Sequence, residues 1–366
     1  MTDFETSLRQ AILVEGPIPV ERYMGLCLRH YYGSRDPLGP SGDFTTAPEI
    51  SQMFGELLGL WLAEIWAAMG QPSLVRLAEL GPGRGTLMAD ALRAASRAAP
   101  RFRAALQVHL VETSPVLRRH QHRLLSAAGI AASWHERLED VPGGPLLLVA
   151  NEFFDALPVR SYMATERGWC ERLVGLDGAN PGGALVYGLR GEPDALPRKP
   201  GRNGDILEVP LDSIGIVRFL AARLVREGGA ALVIDYGYWG PAFGDTLQAL
   251  RRHEPVSPLS DPGEADITTH VDFHALARGA VAEGALVHGP AVQADFLRDL
   301  GIHARAEALK ARATPEQAAA IGLALARLTD RGEKDMGSLF KVLALTHPHL
   351  ASVPGLRARG PLPAES

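Results

Sequence analysis

Glu79-Leu80-Gly81-Pro82-Gly83-Arg84-Gly85-Thr86 decides how this chain is read. The apolar run Leu74-Val75-Arg76-Leu77-Ala78 leads into it, and a helical stretch from Leu87 to Ala98 leads out. Strand, glycine-rich turn, helix is the layout of a nucleotide-binding βα unit. Glycines let the backbone turn sharply and approach a ligand with no Cβ in the way. Dinucleotide folds space them Gly-x-Gly-x-x-Gly, which aims a helix N-terminus at a pyrophosphate. Here the third glycine comes one residue early, and an acid, Glu79, stands two residues before the first. The early glycine argues against a dinucleotide.

The variant resembles motif I of S-adenosylmethionine (SAM) methyltransferases. SAM has no phosphate, and its amino-acid end carries an ammonium that an acid can meet. The next strand supports this. Leu106-Gln107-Val108-His109-Leu110-Val111-Glu112 ends on an acid where this fold receives ribose hydroxyls, for which a carboxylate is a bidentate acceptor. Glu112 can also be read as a helix N-terminal acid, since Thr113-Ser114-Pro115 opens a helix.

Composition sets outer bounds. The 366 residues suit about two domains, or one with large insertions. Hydrophobic content of 46% with 22% charge is that of a globular protein. A net charge of -5 argues against nucleic-acid binding driven by bulk charge. Cys27 and Cys170 fit no metal spacing and point to a reducing compartment. Met1-Thr2-Asp3-Phe4-Glu5 begins neither a signal nor a transit peptide, so a cytoplasmic location is expected. No run of about 18 apolar residues exists, so no membrane span is expected.

The expected fold class is α/β: a Rossmann-like sheet of the class I SAM methyltransferase type. It carries an N-terminal helical extension, a β-hairpin insert and a helical insert before the closing strands. Residues 1–70 form a helical and lid region, with Pro48 in the first turn of a helix running to about Met69. Residues 71–158 and 205–240 form the SAM-binding core, with strands at 74–80, 106–112, 131–134, 145–151 and 230–236. The alternating, Gly/Pro-rich residues 159–204 read as the hairpin insert. Residues 241–330 read as a substrate-side helical region, interrupted by apolar 284–292 and carrying the capping box Thr314-Pro315-Glu316-Gln317. A closing strand lies within 331–347, and 348–366 is expected to be a disordered tail.

In doubly wound sheets ligands sit at the carboxyl ends of the strands. Strand four runs into Asn151-Glu152-Phe153-Phe154-Asp155-Ala156-Leu157-Pro158, two carboxylates and an amide at a strand end. Glu152 and Asp155 are read as catalytic, and Asn151 as a cofactor contact beside Glu79, Gly81, Gly83, Gly85 and Glu112. Gly42-Asp43-Phe44-Thr45-Thr46 reads as a lid, with Thr46 on the cofactor. Asp235-Tyr236 and Asp266-Ile267-Thr268-Thr269-His270 offer Asp235, Tyr236, Asp266 and His270 to a substrate. Trp134 and His135 are candidates to flank the adenine. Asp-x-x-x-His-x-Asp lacks a third scattered ligand, and no metal is expected.

These motifs together resemble the MidA-type family of SAM-dependent methyltransferases over about residues 8–345. They include Tyr31-Tyr32-Gly33 and the loop from Gly42 through Ser51-Gln52-Met53-Phe54-Gly55-Glu56. The rest are the Glu79–Met88 turn, Glu112–Pro115, Asn151–Pro158, Asp235-Tyr236-Gly237 and Asp266-Ile267-Thr268. A generic methyltransferase has no loop like the one at 42–56, and this places Asp43 among the catalytic candidates. The family's mitochondrial members methylate an arginine of a respiratory complex I subunit and assist complex I assembly. The resemblance therefore implies a protein substrate, with a complex I subunit as acceptor and SAM as cofactor. It also implies a bacterial relative, since the mitochondrial presequence is missing. A homodimer stays open. The rival readings are an assembly chaperone with a non-catalytic SAM site and an NAD-dependent oxidoreductase.

Overall fold

The computed structural model describes residues 2–37, 39, 42–180, 182–194, 200–240 and 242–360. The core is one sheet whose seven long strands are numbered here in chain order. They are β1 Val75–Leu80, β2 Leu106–Val111, β3 Ala132–His135, β4 Leu146–Asn151, β5 Gly229–Tyr238, β6 Leu286–Val292 and β7 Phe340–Thr346. Their spatial order is β6-β7-β5-β4-β1-β2-β3, and a two-residue strand, Val271–Asp272, adds to β5. Strands β1 to β5 pair in parallel, while β7 runs antiparallel to both β5 and β6. The order reverses between β4 and β1, which opens a crevice at their carboxyl ends.

Sequence explains the centre of this sheet. Leu146–Asn151 is buried along its whole length, as a strand covered on both faces must be. One face packs the helices Gln52–Ala68, Thr86–Ala98 and Pro100–Ala105 around Trp61, Leu62 and Phe102. The other packs Leu211–Glu227 and Phe273–Ala282 around Leu220, Leu224 and Leu276. Gln52–Ala68 lies very close to Thr86–Ala98. A Cβ on Gly59 would stand 2.3 Å from the Ala91 carbonyl oxygen, so only glycine permits the approach.

A second, antiparallel sheet grows from the insert. Arg160–Thr165, Gly168–Leu176, Leu185–Leu189 and Ile206–Val209 form it, and Ile18–Pro19 from the N-terminal region pairs onto Gly168–Leu176. Residues 181 and 195–199 of the expected insert lie outside the described residues.

Three expectations change. The helix expected to begin at Pro48 is two helices, Ala47–Ile50 and Gln52–Ala68, because Ser51 is extended and accepts the N–H of Met53. The region 241–330 is not simply helical. Gln248–Arg251, Glu254–Val256 and Asp266–Thr268 make a small antiparallel sheet, and Leu286–Val292 enters the core as β6. The tail packs as far as the described residues reach. Leu350, Val353 and Leu356 are buried, and Trp61 Nε1 donates to the Pro354 carbonyl at 3.1 Å. Residues 357–359 run along β6, where Gly289 donates to Arg357 and Arg359 to Val287. Residues 361–366 lie outside the described residues.

Candidate cofactor and acceptor site

The carboxyl ends of β1, β2, β4 and β5 open into a cavity of about 930 Å³, at the upper end of the range for small-molecule sites. Its wall includes Glu79, Gly81, Gly83, Glu112, Asn151, Glu152 and Asp155 from the core. Tyr32, Phe44, Thr45 and Thr46 close it from the N-terminal region, and Leu250, Pro255 and Val256 from the small sheet. Tyr236, Asp266, His270 and Phe340 complete it.

At one end lies the glycine turn. Gly81, Gly83 and Gly85 take φ of 60°, 53° and 86°, left-handed values that side chains disfavour. Gly81 donates to the Val111 carbonyl at 3.1 Å, tying the turn to the end of β2. Just beyond, Glu112 accepts the Ser114 N–H at 2.7 Å and Gln121 Nε2 at 3.2 Å. Gln121 also donates to the Gly83 carbonyl at 2.7 Å and accepts Trp134 Nε1 at 2.8 Å. It is fully buried. Glu79 points into the same space, its carboxyl pushed up to about 8 by burial and then by the Glu112 charge.

At the other end the acids crowd. Glu152 accepts the Ala47 N–H at 3.1 Å and Asn151 Nδ2 at 3.2 Å. Burial and then the nearby Asp155 push it up to about 8, against the pull of the Ala47 N–H. Burial raises Asp155 to about 6, with Tyr236 beside it acting the other way. Asp266 accepts the Tyr32 hydroxyl at 2.9 Å and is raised to about 8 by burial and then by Asp155. Burial is the first cause of each shift, and a neighbouring carboxyl adds to it for Glu152 and Asp266.

Three buried acceptor atoms on this wall have no partner: Glu79 Oε2, Asn151 Oδ1 and Asp155 Oδ1. An unpaired buried acceptor is unfavourable and marks a place where a ligand's donors belong. Such a wall suits a ligand rich in hydrogen-bond donors, as SAM is. Among the described residues no group of three His, Cys, Asp or Glu side chains could hold a metal, and no helix is long and apolar enough to cross a membrane.

The structure brings most of the sequence candidates to this one cavity and sets five apart from its wall: Asp43, Gly85, Trp134, His135 and Asp235. The adenine candidates face other partners, Trp134 donating to Gln121 at 2.8 Å and His135 Nε2 lying 3.0 Å from His109 Nδ1. Asp43 is spent on structure: Oδ2 accepts the Tyr31 hydroxyl at 2.6 Å and Oδ1 the Arg252 N–H at 2.7 Å. Asp235 turns inward to cap the backbone of residues 153–155. Gly85 caps the helix Thr86–Ala98, and a Cβ there would meet Gln121. Sequence reasoning missed Gln121. A signal existed, since it lies on the buried stripe Leu117, Gln121, Leu125, a polar residue at helical spacing among leucines.

A mixed sheet with an antiparallel seventh strand, a glycine turn after β1 and an acid after β2 define a class I methyltransferase fold. The chain belongs to a family of S-adenosyl-L-methionine-dependent methyltransferases, whose family model matches residues 57–291. It is 41% identical to the protein arginine methyltransferase NDUFAF7 homolog, mitochondrial, of Drosophila melanogaster, over 92% of this chain and 83% of that protein. It is 38% identical to the protein arginine methyltransferase NDUFAF7, mitochondrial, of Homo sapiens, over 80% of this chain and 72% of that protein. A protein from Burkholderia thailandensis, crystallised bound to S-adenosyl-homocysteine, superimposes with a TM-score of 0.81 at 31% identity. That match covers 96% of this chain and 93% of the other. Both relatives named above are mitochondrial proteins, which overturns the cytoplasmic location expected from the sequence.

Proposed function

We propose that this SAM-dependent methyltransferase acts on an arginine side chain of a protein acceptor. The observation that carries the reading is the acid-lined end of the cavity, where Glu152, Asp155 and Asp266 surround space beyond the cofactor turn. Arginine methyltransferase relatives at 38–41% identity support it. The MidA-type resemblance makes a complex I subunit the acceptor, with methylation aiding assembly of that complex.

SAM, when bound, supplies a methyl group on a sulfonium: a nitrogen–carbon bond forms as the carbon–sulfur bond breaks, and the electron pair stays on sulfur. The residues must align and deprotonate the acceptor. A guanidinium is protonated at any physiological pH and spreads its charge over a planar fork. Glu152 and Asp155 hold that fork, so that charge gathers away from the nitrogen facing the methyl. Asp155 Oδ1, unpartnered in the cavity wall, takes the proton that the methylated nitrogen gives up. Asp266, held by Tyr32, adds a third carboxyl beside the cation. Thr45, Thr46 and Phe44 exclude water from above.

The test is methyl transfer from labelled SAM into a lysate of cells lacking this protein, with mass spectrometry of labelled proteins. Methylarginine in one or a few proteins is expected. Label on lysine, nucleic acid or small molecules alone overturns the arginine reading, and no label at all favours the assembly chaperone.

A further inference from the structure

Asp235 lies in the carboxyl-terminal half of β5, beside the acids of the β4 loop, and it is fully buried. Its Oδ2 accepts the N–H groups of Phe153, Phe154 and Asp155 at 3.2, 3.0 and 3.2 Å. Its Oδ1 accepts the Tyr236 N–H at 2.9 Å. One carboxylate thus satisfies four backbone donors. Three of them belong to a turn that no helix continues, where they would otherwise be buried and unpaired. The turn opens on Glu152 at φ 51°, a left-handed conformation that a residue with a side chain holds only when its surroundings fix it. From this turn Glu152 and Asp155 enter the cavity wall, whereas Asp235 does not.

We propose that Asp235 is a positioning residue for methyl transfer: its carboxyl group locks residues 152–155 so that Glu152 and Asp155 face the acceptor together. The inference rests on the arginine reading above. Asp155 shares this dry end of the site with Asp235, Glu152 and Asp266 and with the Tyr32 and Tyr236 hydroxyls. Asp235 differs from the others in having both oxygens committed to N–H donors. It accepts no hydrogen bond from a substrate and acts only through the turn it holds.

Asp235→Asn turns an amide N–H₂ against one set of backbone donors; Asp235→Glu restores both acceptor oxygens at a longer reach. Three readouts separate positioning from bulk stability: amide exchange at 153–155, binding of S-adenosyl-homocysteine, and the split between kcat and KM. In Asp235→Asn the three amides exchange at least about tenfold faster while those of β4 stay protected. Ligand affinity and acceptor KM stay within about threefold, and kcat falls on the order of 10². Asp235→Glu recovers part of kcat. Should Asp235→Asn fail to fold, the wild type still decides. Its amides at 153–155 must be as protected as those of β4, and exchange as fast as in an exposed loop overturns the clamp. Loss of kcat in step with ligand affinity and melting temperature overturns the positioning role. An active wild type with an unaffected Asp235→Asn sinks this inference alone, whereas a wild type that methylates no arginine sinks the functional reading beneath it.

Discussion

Glu152 Oε1 accepts the backbone N–H of Ala47 at 3.1 Å, joining the end of β4 to a helix that starts 105 residues earlier. The acid is therefore held by the N-terminal region as well as by its own strand. Thr46, next to Ala47, lines the cavity, so the same bond seats part of the roof. Glu152→Gln keeps an acceptor for Ala47 and loses the charge; Glu152→Ala loses both. Methyl transfer is expected to fall on the order of 10² in Glu152→Gln and Asp155→Asn, with S-adenosyl-homocysteine affinity near normal. Glu152→Ala additionally weakens that ligand. Calorimetry and transfer rates on the same preparations check this, and variants that are active but thermally weakened reduce both acids to packing roles.

Gln121 links the glycine turn, Glu112 and Trp134 through three hydrogen bonds of 2.7, 3.2 and 2.8 Å. Gln121→Ala leaves a buried carbonyl and a buried carboxylate each short of a donor. Cofactor binding is expected to weaken by about 1–3 kcal/mol, with the acceptor KM unchanged. Gly83→Val is expected to abolish binding, since a branched side chain at φ 53° strains the turn and fills the ligand's place. Titration with S-adenosyl-homocysteine measures both, and unchanged affinity in the two variants removes the glycine turn from the cofactor site.

Sequence and structure agree where local periodicity and tertiary burial say the same thing. The apolar run Leu146–Ala150 reads as a central strand and is one, and the capping box at Thr314 is present with both of its bonds. The cavity follows from the same logic, because its acids sit at strand ends. What was not legible is set by long-range partners. Asp43 and Asp235 look alike in sequence to Glu152 and Asp155, acids in polar loops. Only the fold shows that the first pair face backbone N–H groups and the second a cavity. Leu286–Val292 was ambiguous as a short apolar segment until its pairing with β7 made it a strand.

Asp43 latches two roof segments. Its side chain holds Arg252, its carbonyl accepts the His253 N–H at 3.0 Å, and both partners have positive φ, at 51° and 65°. Asp43→Ala frees the turn from that strained geometry. The expected result is a melting temperature several degrees lower and faster dissociation of S-adenosyl-homocysteine, because Phe44–Thr46 and Leu250–Val256 no longer close together. Stopped-flow displacement measures the rate. A dissociation rate equal to wild type, in a folded protein, sinks the latch.

Glu79 couples the cofactor to pH. Burial and the Glu112 charge raise it to about 8 in the empty protein, so near neutrality it carries a proton. An ammonium arriving beside it favours the carboxylate, and the proton must leave. Binding is therefore expected to release up to one proton between pH 5.5 and 7, a window in which the ligand's own α-amine stays charged. Affinity rises with pH across that window, approaching about tenfold per unit. The sign for stability is the opposite. A carboxyl raised on folding contributes stability that is complete below its unfolded value, about 4.3, and is lost as pH climbs through about 8. The melting temperature of the free protein should fall over that range, and saturating S-adenosyl-homocysteine should flatten the fall. Glu79→Gln should release no proton, bind more weakly and show the shallower stability profile even without ligand. Calorimetry in two buffers of different ionisation enthalpy counts the protons. Equal proton release in wild type and Glu79→Gln would show that Glu79 does not meet the ammonium.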